Sequence, residues 1–395
     1  MGLPYGIYVH FPYCAHRCPY CEFAVTTDPV PGDGSYVAAV LAELRARSAA
    51  FAGLSAASLY LGGGTPSLWS PGEIAQVVGA ARRLGLPEGA ETTLEVNPES
   101  CDPGRVQAWR AAGVNRVSIG VQSFDPGVLA KLGRRHGPEA AERAIRLCAA
   151  VIPNVSVDLI YGARRSTVES ARRDAAHAAA LGAMHVSAYA LTLDTEVLAE
   201  ETPLARMRRQ GRLPLPSDEE TAAQGAAIRA ALRRAGLRRY EISNFAAPGR
   251  ASVHNGLYWS SDSYLGVGAG AWGCLRSRSG SSNGSSNRSS DGTVRWGNLR
   301  DARAYMGAVS EGRLPTAEED RFDDAAEANE RLMLALRTRA GAPLEGLTGR
   351  QREEAERLVK RRLAVRRTGG DGAAHLVLTS RGMDLHSSIA GRLFE

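Results

Sequence analysis

Short runs rich in β-branched and aromatic residues alternate with longer Ala-rich amphipathic stretches over the first half of the chain. Strands are predicted at Gly6–Phe11, Ser58–Leu61, Thr92–Val96, Arg116–Gly120, Asn154–Tyr161 and His185–Leu191. Helices are predicted over Tyr36–Ala50, Ile74–Arg83, Pro103–Ala112, Pro138–Ala150 and Val168–Leu181. Strands separated by helices in this order argue an α/β fold, a parallel sheet with helices outside it. The strands read as apolar with little alternation, as expected when both faces are covered. The pattern alone does not separate an open sheet from a partial barrel.

Past residue 205 the pattern changes. A helix is predicted over Asp218–Ala235, then an irregular segment, Tyr240–Gly273, rich in Gly, Asn, Tyr and Trp. Arg276–Gly292 is a Ser/Gly/Asn tract with too little apolar content to pack, and it reads as a mobile loop. Helical runs at Ala325–Leu336 and Thr348–Arg361 and a strand-like His375–Leu378 close the chain. The expected organisation is a core over 1–205, a connecting region over 206–300, and a smaller, mainly helical, winged-helix-like domain with a β-hairpin over 301–395.

The length of 395 residues suits one large domain plus a smaller one. No run of about 18 apolar residues is present, so no transmembrane segment is expected. Met1-Gly2-Leu3-Pro4 shows no basic leader, and Gly6 stands where myristoylation needs Ser or Thr, which reads as cytoplasmic. The net charge of +6 comes almost wholly from Arg, with no basic run interleaved with aromatics, so no nucleic-acid partner is expected. A modest positive field would suit an anionic ligand.

The strongest chemical signal is Cys14-Ala-His-Arg-Cys18-Pro-Tyr-Cys21, just past the first strand. Ligands of parallel sheets gather at the C-terminal ends of strands. Three thiolates on one loop could hold an iron–sulfur cluster and leave one iron open, since such clusters normally take four Cys. Two other readings stay open. His10 or His16 could complete a zinc site, although no second ligand pair follows, and Cys18 and Cys21 alone could form a redox pair. Gly62-Gly63-Gly64-Thr65-Pro66 follows the second strand, where glycines admit a ligand and leave N–H groups free. Glu95, Gln122 and Asp158 are polar within or beside the third, fourth and fifth strands and converge on one mouth.

Cys-x3-Cys-x2-Cys after the first strand is similar to the signature of the radical S-adenosylmethionine (SAM) superfamily. The stretch from Tyr8 to Phe23 resembles its branch containing oxygen-independent coproporphyrinogen III oxidase and the haem chaperone HemW. The resemblance implies a partial (β/α)6 barrel of radical SAM type. It implies a 4Fe–4S cluster on Cys14, Cys18 and Cys21, and SAM contacts at Tyr8, Gly63, Gly64, Thr65, Glu95, Gln122, Arg134 and Asp158. It also implies an electron donor such as flavodoxin or ferredoxin.

Within that branch the oxidases carry a fourth Cys where this chain has Phe23, and an N-terminal extension for which a strand starting near Tyr5 leaves no room. His254-Asn255-Gly256-Leu257-Tyr258-Trp259 resembles the His-Asn-x-x-Tyr-Trp motif associated with haem in HemW-like proteins. The resemblance therefore implies a haem chaperone, with haem as cargo touching His254 and an acceptor protein to receive it. The runner-up is radical decarboxylation of coproporphyrinogen III, and another radical SAM enzyme comes third. Two runs depart from the family: Ala163-Arg164-Arg165, where the family has Leu-Pro-Gly, and Trp272, where it has His. Arg164 and Arg165 are expected to meet an anionic group such as a porphyrin propionate.

Overall fold

The computed structural model describes residues 2–194, 200–276, 292–370 and 372–394. Its first half is β1 (Pro4–Phe11), α1 (Ser35–Ser48), β2 (Ser55–Gly63), α2 (Pro71–Arg83), β3 (Glu91–Val96), α3 (Pro103–Ala111), β4 (Arg116–Gln122), α4 (Pro126–Lys131), α5 (Pro138–Val151), β5 (Asn154–Tyr161), α6 (Val168–Ala180) and β6 (His185–Ala190). The helix starts from α2 to α6 carry a local reason. Pro opens α2, α3, α4 and α5, and reciprocal capping boxes start α2 at Ser70/Glu73 and α6 at Thr167/Ser170. β1 to β6 pair in sequence order, all parallel.

The chain continues with α7 (Pro203–Arg209), α8 (Asp218–Arg234), β7 (Arg238–Arg239), β8 (Asn244–Ala246), α9 (Val253–Trp259), β9 (Ser263–Val267), β10 (Trp272–Leu275), β11 (Thr293–Asn298), α10 (Ala302–Ser310) and β12 (Thr316–Phe322). The segment read as irregular therefore carries strands and a helix. β9 pairs parallel with β1, and β10 to β12 extend that edge antiparallel, while β8 and β7 extend the other. Residues expected to connect two domains thus join the wall of the large sheet. The tract read as a mobile loop lies, over 277–291, outside the described residues.

The strands are not apolar throughout; they alternate. Tyr5, Ile7, Val9 and Phe11 of β1, Leu59 and Leu61 of β2, Val117, Ile119 and Val121 of β4, and Val155, Val157 and Leu159 of β5 pack into one core with the helices. The residues between them are Tyr8, His10, Ser58, Tyr60, Glu95, Arg116, Ser118, Ser156, Asp158, His185 and Ser187, and they face inward. The sheet is a partial barrel with an apolar outer face under helices and a polar inner face.

α11 (Asp324–Leu336), β13 (Ala342–Pro343), α12 (Gly349–Lys360), β14 (Ala364–Thr368), β15 (Ala374–Leu378), α13 (Ser380–Asp384) and α14 (His386–Phe394) complete the chain. They pack a second core around Leu336, Leu358, Leu376 and Ile389 against an antiparallel sheet ordered β13-β15-β14. No helix among the described residues is long and apolar enough to cross a membrane.

Candidate functional site

A cavity of about 430 Å³ opens at the C-terminal ends of the parallel strands and falls in the size range of ligand pockets. Cys14, Cys18 and Cys21 line one side of it; Gly63, Gly64, Thr65, Glu95, Gln122, Arg134 and Asp158 line the rest. The residues predicted to hold the cluster and SAM are thus brought together, with one exception. Tyr8 lies behind the wall, its hydroxyl 3.0 Å from His10 Nδ1 and its ring packed on Tyr60.

The cysteine loop is held by backbone bonds. The Cys14 N–H donates to Thr26 O at 2.9 Å, and the Cys21 N–H to Cys18 O at 3.1 Å. Burial pushes the Cys14 thiol up, and that of Cys21 to about 11, so both are neutral until a cation displaces their protons. Three side chains already reach the sulfurs: the Thr65 hydroxyl lies 3.4 Å from Cys14 Sγ, and an Arg134 N–H and His16 Nε2 lie 3.5 and 3.6 Å from Cys18 Sγ.

Both histidines proposed for zinc already bond protein groups. His10 is bonded at Nδ1 to Tyr8 and at Nε2 to Ala24 O (2.9 Å), and His16 Nε2 sits 2.9 Å from Gly133 O. No cluster of three or more His, Cys, Asp or Glu among the described residues closes around a single metal ion. A cubane makes a different demand, because each thiolate binds its own iron and the sulfurs need only share one rim.

The glycine run works differently from the sequence expectation. The Gly64 N–H donates to Phe11 O (2.7 Å), Thr65 N–H to Tyr13 O (2.9 Å) and Gly63 N–H to Glu95 (3.0 Å). None is left for a ligand. A Cβ on Gly64 would lie 2.8 Å from both Phe11 O and Tyr13 O, so the glycine is needed to dock this loop against the cysteine loop.

Glu95 also accepts from the Tyr60 hydroxyl at 2.8 Å. Burial, with a smaller push from Asp158, raises its carboxyl to about 7. Asp158, also raised by burial, accepts from the Ser118 hydroxyl at 3.0 Å. Arg134 is aimed by Gly120 O at 2.9 Å and by Asn97 Oδ1. Gln122 is held at φ 67°, in the left-handed region that strains a residue other than glycine. Phe23 and Tyr189 stand at the rim, 54% and 42% exposed. Sequence reasoning missed Tyr60, Asn97, Arg116, Ser118, Ser187 and Tyr189. The signal was present: all but Asn97 occupy the polar places of the strand alternation. Arg164 and Arg165 are not among the cavity's lining residues, and Trp272 lies in β10 beside Gly297.

His254 sits elsewhere. α9 closes the opposite end of the barrel, with Glu91 accepting from the Val253 and His254 N–H groups at 3.0 and 2.9 Å. The His254 ring is 1% exposed and lies 2.8 Å from both Ser58 Oγ and Tyr258 Oη. Both ring nitrogens are occupied, and burial holds the imidazole neutral, near pKa 3. A Cβ on Gly6 would lie 2.9 Å from that ring, so β1 needs glycine there.

The radical SAM superfamily profile matches residues 8–177. The haem chaperone HemW of Mycobacterium tuberculosis is 35% identical over 99% of this chain and 95% of its own length. The chain belongs to the radical SAM superfamily, in its HemW branch. HemW of Escherichia coli is 36% identical over 68% of this chain and 70% of its own. Coproporphyrinogen III oxidase (HemN) of E. coli, a radical SAM enzyme, matches the fold with a TM-score of 0.77 at 19% identity, over 99% of this chain and 90% of that one. The superfamily's cofactors are a 4Fe–4S cluster and SAM. Three thiols on one rim, with cationic and neutral donors reaching their sulfurs, fit the first. A cavity walled by Glu95, Asp158 and Arg134 fits a ligand bearing amine, hydroxyl and carboxylate groups.

Proposed function

We propose that this chain is a haem chaperone that binds a 4Fe–4S cluster, SAM and haem and passes haem to an acceptor protein. The observation that carries the reading is the near full-length alignment with a haem chaperone. Phe23 stands where the oxidases of the resemblance have a fourth Cys, which disfavours the enzymatic alternative.

In this reading Cys14, Cys18 and Cys21 hold the cluster. Gly63, Gly64, Thr65, Glu95, Gln122, Arg134 and Asp158 surround SAM, and Tyr8 supports them from behind through Tyr60. The cluster with SAM supplies one-electron reductive chemistry when bound. The chain's own contribution is placement. Arg134 reaches both Asn97 and Cys18, so it fixes one wall relative to the cysteine loop. Glu95 ties Gly63 to Tyr60 and offers a carboxylate to a cationic ligand. An electron donor such as flavodoxin or ferredoxin and a haem acceptor are the expected protein partners. His254 can ligate haem iron only by leaving both Ser58 and Tyr258.

The test is anaerobic, on cluster-loaded protein. Haem should bind with a Soret band, and coproporphyrinogen with SAM and reductant should give no vinyl porphyrinogen. Porphyrinogen decarboxylation at enzymatic rates, or no haem binding, overturns the reading. A Soret band shifted in His254→Ala would show that the ring does move to the iron.

A further inference from the structure

Below the residues that surround the mouth, the inner face of the barrel holds a cation with an ion-pair partner but no hydrogen-bonded one. Arg116, at the start of β4, is 2% exposed and lines the cavity. Its guanidinium makes no hydrogen bond to another described residue, and its buried Nε lacks a hydrogen-bond partner. The nearest carboxylate, Glu91, is 3.8 Å from that Nε. Glu91 is already committed, accepting from Ser252 Oγ (3.3 Å) and from the Val253 and His254 N–H groups.

Glu91 balances the charge across that gap but fills none of the guanidinium's donors, and a buried donor left unfilled is costly. The fold tolerates such a group when something else fills its donors. The surrounding groups do not. His185 is bonded to Ser156 Oγ (2.8 Å) and Tyr240 Oη (2.9 Å), and His254 to Ser58 and Tyr258. Asp158 lies in the same cavity but is engaged by Ser118. Ser187 and Asn255 add neutral polar groups to the same lining.

We infer that Arg116 is an anion-binding residue inside the barrel, and that it receives the carboxylate of a small molecule or of a carboxylate-bearing arm entering from the mouth. A guanidinium fork pairs with carboxylate through two parallel N–H···O bonds. The inference goes beyond the reading of the mouth, because it rests on Arg116 and Glu91 alone and holds whichever ligand occupies the cysteine end.

The test uses full-length, cluster-loaded protein and [1-13C]acetate as the probe, observed by NMR line broadening with and without SAM. Saturable broadening is expected with wild-type protein. It should weaken about tenfold or more in Arg116→Gln, less in Arg116→Lys, and not at all in Arg164→Gln. Absence of saturable broadening in wild-type protein overturns the inference, even if Arg116→Gln fails to fold. Equal broadening in wild type and a folded Arg116→Gln or Arg116→Lys overturns it too.

Discussion

The two ends of the barrel carry similar residues and use them oppositely. At the mouth, thiols, Glu95, Gln122 and Arg134 border open space. At the floor, His254, Ser58, Tyr258 and Glu91 bond to one another and leave nothing for a ligand. Polar side chains on the inner face of a sheet are therefore not a site by themselves. They become one where the chain leaves their hydrogen-bonding capacity unspent.

The largest expected effect tests the open end. Cys18→Ser should reduce iron and sulfide retained after anaerobic reconstitution about tenfold or more, since thiolate supplies the metal bond. Thermal stability of the cluster-free protein should change little, because Arg134 keeps its bonds to Asn97 and Gly120 O and a serine oxygen can accept in place of the sulfur. Unchanged iron content would remove the thiols from the proposal.

The next effect tests the closed end. His254→Ala opens a hole against Gly6 and leaves the Ser58 and Tyr258 hydroxyls buried without a partner. Denaturant unfolding should show a loss of about 2–3 kcal/mol. A variant that keeps full stability would show that the floor is not a packed plug.

A smaller effect sharpens the contrast through pH. Burial, more than Asp158, lifts Glu95 to about 7. Below that pH the folded protein holds the proton and the carboxyl is neutral; above it the carboxylate is available to the cationic groups of SAM. SAM affinity should therefore rise with pH through 7, by up to about tenfold. Glu95→Gln should flatten the profile at the low-pH value, as followed by equilibrium binding. An unaltered slope in that variant would assign the pH dependence to another group.

How much of this was legible in the sequence follows the same division. The barrel strands and most of their helices could be read because Ala-rich amphipathic stretches contrast with β-branched runs. The mouth could be read because Cys14, Cys18 and Cys21 share one loop and resemble a known signature. The alternation inside the strands was visible too, as in Ile7-Tyr8-Val9-His10-Phe11, but was passed over for an expectation about parallel sheets. The strands between 240 and 273 were hidden by their glycines. A Cβ on Gly273 would lie 2.0 Å from the Trp296 ring and one on Gly266 1.8 Å from Trp272 O, so these glycines mark close packing rather than loop. The location of His254 was not legible at all. A motif gives a residue's neighbours in sequence, and only the fold says at which end of the barrel they lie.

α9 has one more tie, at its last residue. The Arg337 guanidinium lies 4.3 Å over the Trp259 ring, and its Nε is 2.8 Å from the fully buried carboxylate of Glu241. Arg337 follows α11, in the unit that packs the second core. The helix that seals the barrel from below is thus latched by a side chain contributed from the far end of the polypeptide. Trimming the protein to its α/β half would strand the Glu241 charge and unlatch the seal together, so the terminal unit is a structural part of the barrel rather than an appendage to it.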